Sequence, residues 1–72
     1  MHISFTNHAK AGMMERDISA SRVVDTIRRP DSRFRVRDGA TACTKMFGTK
    51  NLKVIFREYK KAEYVIITAY YL

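Results

Sequence analysis

The hydrophobic pattern of this chain changes its period once, at Pro30. Before Pro30, four apolar residues between Ala20 and Ile27 recur at positions i, i+3, i+4 and i+7, which is the spacing of one helical face. Ser19 precedes them and suits a helix N-cap. After Pro30, apolar and polar residues alternate with a period of two, which is typical of strands. The pattern therefore predicts helices in the first part of the chain and strands in the second.

A short strand and a first helix are predicted ahead of the helix just described. Residues 2–5 alternate between polar and apolar, as a strand does. Thr6 and Asn7 both suit an N-cap, because their side-chain oxygens accept hydrogen bonds from the free amides of a first helical turn. The helix is expected over residues 8–16, and Gly12 weakens it by about 0.5–1 kcal/mol relative to alanine.

Four further strands are predicted after Pro30, joined by short turns. They span 33–37, 40–47, 52–59 and 64–71, and Asp38-Gly39 is the strongest hairpin signal among the turns. Sequential strands with short connections favour an antiparallel meander. We therefore expect one α+β domain over residues 1–72, in the order β-α-α-β-β-β-β, with two helices packed on one face of an antiparallel sheet.

The strand patterns also predict which side chains face the helices. The strand over 40–47 is ambiguous, and we assign to its inward face Ala42, Thr44 and Met46. This assignment leaves on its outer face Thr41, Cys43, Lys45 and Phe47. In the last strand, strict alternation groups Val65, Ile67 and Ala69 on one face and Tyr64, Ile66, Thr68 and Tyr70 on the other.

Positive charge adds a candidate function to this layout. The chain has 14 Lys and Arg against 7 Asp and Glu, a formal net charge of +7. Arginines alternate with Phe34 and Val36 along one predicted strand, and Lys53 and Arg57 alternate with apolar residues along another. Because side chains two apart share a face of a sheet, we expect one basic face opposite the helices. Such a face suits the phosphate backbone of a nucleic acid.

The remaining composition narrows the classes of function. Cys43 is the only cysteine, so no internal disulfide forms, which fits a reducing compartment. No membrane span or signal peptide is predicted, and we expect a cytoplasmic protein with a structural thiol at Cys43. No residues have metal-ligand spacing, and no glycine-rich phosphate loop is present. We expect no metal or cofactor, which disfavours a metal-dependent nuclease or a two-carboxylate hydrolase.

Several short motifs resemble one protein family. They are Thr6-Asn7-His8-Ala9, Met13-x-x-Arg16-x-Ile18-Ser19, a second helix ending at Pro30, and Val65-Ile66-Ile67-Thr68-Ala69-Tyr70. Together they resemble a family of small uncharacterised prokaryotic domains with a T-x-H-A helix start and an I-T-A-Y ending. That family is related to the RelE/ParE superfamily of toxins, which includes mRNA-cleaving RelE and BrnT. The resemblance covers nearly the whole chain.

The resemblance implies a RelE-like fold, in which two helices pack on a curved antiparallel sheet, and RNA cleavage without a metal. In RelE-type enzymes, basic and tyrosine side chains on the open sheet face activate the 2′-hydroxyl and stabilise the phosphorane. This chain departs from the family at Gly12, where members carry an arginine. The role of that arginine would then be lost or taken by Lys10.

Four residues are candidate catalytic groups, namely His8, Lys53, Arg57 and Tyr70. An imidazole can move a proton near neutral pH, although a histidine at a helix start can equally hydrogen-bond the sheet. Lys53 and Arg57 are expected about 13 Å apart along one strand, a spacing that lets them contact successive phosphates. The alternative is that they form an ordinary solvated face of the sheet. Tyr70 can meet either cation across a hairpin, or it can close the edge of the core.

Five further cations are candidate nucleic-acid ligands, namely Arg16, Arg33, Arg35, Arg37 and Lys45. A guanidinium binds a phosphate through two parallel hydrogen bonds. Arg16 follows His8 by two helical turns, so both can line one side of the first helix. The alternative for Arg16 is a structural ion pair with Asp25 or Glu58.

The leading hypothesis is a toxin-like, metal-independent RNA endonuclease, an mRNA interferase of a toxin–antitoxin system. Its substrate would be RNA, either free or on the ribosome. Two alternatives stay open: a non-catalytic nucleic-acid-binding module, which Gly12 favours, and a ParE-like toxin directed at a protein. An acidic antitoxin and a second copy of this chain are further candidate partners.

Overall fold

Two helices lie between the first strand and the four that follow it in the computed structural model, which describes all 72 residues. The elements are β1 (His2–Phe5), α1 (Asn7–Glu15), α2 (Ala20–Arg28), β2 (Ser32–Arg35), β3 (Thr41–Phe47), β4 (Lys50–Tyr59) and β5 (Glu63–Tyr71). A single 3₁₀ turn, Arg37–Gly39, joins β2 to β3. The predicted α+β class and the order of helices and strands are confirmed.

Both helices begin at hydroxyl caps; the sequence predicts Ser19 for α2 and either Thr6 or Asn7 for α1, and the structure selects Thr6. The Thr6 hydroxyl accepts a hydrogen bond from the Ala9 amide at 3.0 Å, and the Ser19 hydroxyl accepts one from the Arg22 amide at 3.2 Å. Each bond satisfies one of the amides that the first helical turn leaves without a partner. The caps therefore set where the chain leaves the sheet and where α2 starts.

The sheet is mixed rather than wholly antiparallel, which corrects the expectation for the first strand. Its strand order is β1-β5-β4-β3-β2. β1 runs parallel to β5, with Ile3 beside Tyr64 and Phe5 beside Ile66, whereas the other three pairings are antiparallel. A strand followed by helices instead of a tight turn is free to pair in either direction, so local pattern does not determine its orientation.

β5 contains one extra residue, and the predicted strict alternation of this strand is therefore wrong. Ile55 of β4 pairs with Thr68, but the next residue of β4, Phe56, pairs with Ile66, which leaves Ile67 unpaired as a bulge. A bulge resets the alternation of faces. Tyr64, Ile66, Ala69 and Tyr71 consequently face the helices, and Val65, Thr68 and Tyr70 face the other way.

The predicted faces of β3 are also reversed. Cys43 pairs with Val54, and both are fully buried beneath the helices. Directly paired residues point to the same face of a sheet, so the residues placed opposite the helices are Ala42, Thr44 and Met46. The small, weakly polar side chains of this strand give little contrast between its two faces, which is why the pattern misassigns them.

The core lies between the helices and one face of the sheet. Eleven buried residues form it, and the largest that are fully buried include Phe56, Leu52, Ile66, Val23 and Val54. The ring of Phe56 meets that of Tyr64 edge-on, with centroids 5.3 Å apart. Because both helices pack here, the opposite face of the sheet has no covering layer. We call it the open face.

We expect Thr6→Ala to lower the free energy of unfolding by about 2 kcal/mol and Ser19→Ala by about 1 kcal/mol. Both variants lose a helix cap, which contributes about 1 kcal/mol. Thr6 also donates a hydrogen bond to the Ile67 carbonyl at 3.3 Å, and this second bond adds about 1 kcal/mol. Urea titrations with an unchanged m-value measure both, and Thr6→Ser is the control that keeps the hydroxyl. Equal losses in the two alanine variants would contradict the role of the bulge contact.

Candidate nucleic-acid interface

The open face carries aromatic, aliphatic and cationic side chains in adjacent rows. The strand register places there Phe34, Ala42, Thr44, Met46, Lys53, Ile55, Arg57, Val65, Thr68 and Tyr70. Phe34 and Met46 are 44% and 49% exposed, and Lys53, Ile55, Arg57 and Tyr70 are half-buried. The face therefore presents apolar surface around two cations.

Lys53 lies between two aromatic rings at the centre of this face. Its Nζ is 5.4 Å from the ring centroid of Phe34 and 5.9 Å from that of Tyr70. Lys53 and Tyr70 are direct partners across β4 and β5, so the register itself brings them together. A cation over an aromatic face is attracted by the ring quadrupole. We call these three residues the Lys53 cluster.

Arg57 lies four residues along β4 from Lys53 and on the same face, and its guanidinium is engaged by the backbone. Its Nη1 donates a hydrogen bond to the Asp38 carbonyl in the 3₁₀ turn. Asp38 and Gly39 have φ values of 61° and 74°, the left-handed conformation that aspartate tolerates and glycine favours. Arg57 thus fixes the turn between β2 and β3 beside the open face.

The other predicted strand cations lie on the opposite side of the sheet. Arg33 pairs with Cys43, Arg35 with Thr41 and Lys45 with Leu52, which are helix-side positions. Arg37 lies outside the strand, in the 3₁₀ turn. The prediction of one basic face is therefore wrong. Paired residues share a face, so exchanging the two faces of β3 also exchanges those of β2. The arginines of β2 then lie on the helix side and Phe34 lies on the open face.

Two of these helix-side cations have partners close by. Arg33 forms the one ion pair of the structure, to the Glu58 carboxylate at 3.3 Å, and lies over the ring of Phe56. The Lys45 ammonium donates a hydrogen bond to the Arg29 carbonyl at 2.8 Å, close to the end of α2. These contacts hold both side chains away from the open face.

His8 and Arg16, which were expected to line the same site, belong to the helix side. α1 packs against the core through Ala9 and Met13, so His8 at its start is exposed on the far side of the sheet from Lys53. Arg16 makes no ion pair with either predicted carboxylate. Its guanidinium instead folds back over Gly12, into the space that a side chain at position 12 would occupy.

The structure thus brings three of the four candidate catalytic residues to one face. It also places there an aromatic residue, Phe34, that the sequence did not predict for this site. Lys53, Arg57 and Tyr70 share the open face, and His8 does not. Phe34 was interpreted as an inward residue because it alternates with arginines. The signal that could have found it is the pairing of β2 with β3, which is not visible in either strand alone.

Cys43 is a core residue with no reactive environment. It is fully buried, and this burial raises the pKa of its thiol above the ordinary value of 9.0, opposed by the positive charge of Arg33. A thiol with a raised pKa is mostly protonated near neutral pH and is a weak nucleophile. The structure supports the structural role expected for Cys43.

No three His, Cys, Asp or Glu side chains come close enough to share a metal ion. Neither helix has the length and apolar character needed to cross a membrane.

We expect Gly12→Ala to raise the free energy of unfolding by about 0.5–1 kcal/mol, the usual gain for alanine inside a helix. The only atoms that a Cβ would meet belong to the mobile end of Arg16, which can move aside. Ala11→Gly, at an exposed position of the same helix, should cause a loss of similar size. Thermal or urea unfolding measures both, and a destabilised Gly12→Ala would mean that the Arg16 contact matters more than helix propensity.

We expect the stability of the protein to fall as the pH rises above about 9, in part because of Cys43. Because the folded-state pKa of this thiol is raised, the unfolded chain loses the thiol proton first as the pH rises. Deprotonation therefore favours the unfolded chain. The stability that the protonated thiol provides below the unfolded-state pKa is lost as the pH rises towards the folded-state pKa. The difference between wild-type and Cys43→Ala unfolding curves across this range isolates the thiol from tyrosine and lysine titration. A constant difference would contradict the raised pKa.

Comparison with known proteins gives one match. No curated protein and no solved structure matches the chain. A family profile described as "Domain of unknown function (DUF4258)" matches residues 5–71, which include all the motifs noted in the sequence. The expectation of a small-domain family is therefore confirmed at that level. Because the match spans nearly the whole chain, the protein belongs to the DUF4258 family.

Proposed function

We propose that this protein binds single-stranded RNA on its open face. The observation that carries the proposal is the Lys53 cluster, in which one ammonium lies between the exposed ring of Phe34 and the ring of Tyr70. Sheet faces that bind single strands combine aromatic rings, on which bases stack, with cations that contact the phosphates. The Lys53 cluster has both elements, in two adjacent rows of the open face.

The overall charge supports the same proposal. The chain has a net charge of +7 and a single ion pair, so most of its cations are free to attract a polyanion. Long-range attraction of this kind raises association rates without requiring that every cation touch the ligand. Cations on both sides of the sheet therefore still favour a nucleic-acid partner, while the aromatic rings locate the contact on the open face.

We further propose that the bound RNA is cleaved without a metal. In this reaction the 2′-hydroxyl oxygen bonds to the neighbouring phosphorus, its proton passes to water, and the bond from phosphorus to the 5′-oxygen breaks. Lys53 stabilises the negative charge that develops on the phosphorane. The Tyr70 hydroxyl donates a proton to the leaving 5′-oxygen and then regains one from water. The products are a 2′,3′-cyclic phosphate and a 5′-hydroxyl.

Kinship with the RelE-type toxins belongs to the same proposal. It is supported by the motifs, by the β-α-α-β-β-β-β order and by two helices on one face of the sheet. His8 lies on the other side of the sheet from Lys53. In this proposal Tyr70 therefore takes over the proton transfer expected of His8. A cytoplasmic location is proposed with it, supported by the single unpaired cysteine.

We expect Lys53→Ala to weaken RNA binding and to reduce the slope of log affinity against log salt by about 0.7, the value for one phosphate contact on a single strand. Fluorescence anisotropy with a labelled single-stranded RNA measures both quantities. The matched control is Lys50→Ala, because Lys50 lies 5.1 Å from the Tyr71 ring on the helix side and has the same charge and the same kind of contact. Equal losses in the two variants would exclude the open face as the binding site.

We expect Tyr70→Phe to bind RNA as the wild type does but to lose cleavage, because it keeps the ring and removes the hydroxyl. Tyr70→Ala should also weaken binding, by about 1–3 kcal/mol for one lost stacking contact. Gel analysis of RNA incubated with a chelator detects the cyclic phosphate ends. If the wild type bound RNA without cleaving it, the protein would be a non-catalytic RNA-binding module. Full cleavage by Tyr70→Phe would refute the role of the Tyr70 hydroxyl as proton donor.

A further inference from the structure

β2 forms one free edge of the sheet. It pairs only with β3, and its four residues are all exposed. An edge strand presents unpaired backbone N–H and C=O groups, which can accept a further strand from another chain. Arg33 and Arg35 of this edge point to the helix side, whereas Phe34 between them points to the open face and belongs to the Lys53 cluster.

The hydrogen-bond pattern identifies which backbone groups are free. The Val36 amide donates to the Ala40 carbonyl at 3.0 Å, which continues the β2–β3 register by one pair. In an antiparallel ladder, hydrogen-bonded pairs alternate with non-bonded pairs. The backbone N–H and C=O groups of Phe34 therefore bond to β3. Those of Arg33 and Arg35 point the other way, away from β3 at the free edge.

A charged groove accompanies this edge. It has a volume of about 660 Å³ and is lined by Arg33, Phe34, Arg35, Gly39, Thr41, Glu58 and Lys60. The groove contains three cations and one carboxylate, and that carboxylate is already paired with Arg33. Arg33 and Arg35 thus provide both the free backbone groups and two of the three cations of the groove.

We propose that an acidic, extended segment of another protein adds to β2 as a sixth strand. Alternate carboxylates of that segment would lie beside Arg33 and Arg35 on the helix side, because cross-strand neighbours share a face. The residue between them would be apolar and would lie beside Phe34, which is 44% exposed on the other face. The recognised chemistry is therefore a strand that alternates acidic and apolar residues.

Charge distinguishes this occupant from two others. A second copy of the chain pairing antiparallel through β2 would place Arg33 of one copy opposite Arg35 of its partner, and like charges in such a pair are destabilising. RNA can neutralise the same arginines but has no alternating amide and carbonyl groups to extend the sheet. An acidic peptide strand satisfies both the backbone and the charge.

The probe is a blocked peptide of alternating glutamate and valine, about six residues long, the usual length of a strand. We expect it to bind the full chain and to protect the amides of Arg33 and Arg35 from hydrogen exchange, measured by NMR. Arg35→Ala should weaken binding about tenfold, which corresponds to the loss of one charge-assisted contact. Arg28→Ala/Arg29→Ala is the matched control, since it removes exposed positive charge from the end of α2 and should bind as the wild type does.

Two further measurements separate strand addition from general attraction. The same peptide methylated at the backbone nitrogens that would pair should not bind, although its charge is unchanged. Arg35→Glu should lose the glutamate peptide and gain a lysine–valine one. The proposal would be overturned if the methylated peptide bound as well as the unmethylated one, or if the amides of Arg33 and Arg35 were not protected. It would also be overturned if Arg35→Ala lost binding to single-stranded RNA but kept binding to the peptide. Lys53→Ala should keep peptide binding, so failure of the RNA proposal can be distinguished from failure of this one.

Discussion

The single unpaired residue in β5 is the constraint on which the arrangement of this domain depends. Without Ile67 as a bulge, strict alternation would place either Ile66 or Ala69 on the wrong side of the sheet. The bulge lets both of them face the helices and still leaves Tyr70 on the open face beside Lys53. The core and the candidate site therefore depend on the same irregularity.

The bulge also connects the sheet to the first helix. The Thr6 amide donates to the Ile66 carbonyl at 3.1 Å, and the Thr6 hydroxyl donates to the Ile67 carbonyl. Both carbonyls lie at the bulge, so the two Thr6 bonds fix the start of α1 to this point of β5. One residue thus caps α1 and stabilises the bulge, which couples the helical layer to the sheet in a domain with a small core.

The division of positive charge between the two sides of the sheet gives the domain two chemically different surfaces. The open face combines Lys53 with aromatic rings and suits stacked bases, whereas the β2 edge combines arginines with free backbone groups and suits a peptide strand. The two surfaces meet at Phe34, which lies beside Lys53 on the open face and between the two arginines along β2. The Arg57 contact to the Asp38 carbonyl lies between them and fixes the turn that both surfaces share.

Local pattern was sufficient for the features that depend on neighbouring residues. The caps at Thr6 and Ser19, the end of α2 before Pro30, the number and order of strands and the shared face of Lys53 and Arg57 all follow from spacing along the chain. The parallel pairing of β1, the bulge at Ile67 and the faces of β2 and β3 depend instead on which strands pair and in which register. Pairing joins residues far apart in sequence, and a shift of one residue exchanges the two faces of a strand. For that reason the amino-acid sequence by itself determined the elements and the positive charge of this protein, while only the tertiary structure decided which cations meet the aromatic rings and which line the free edge.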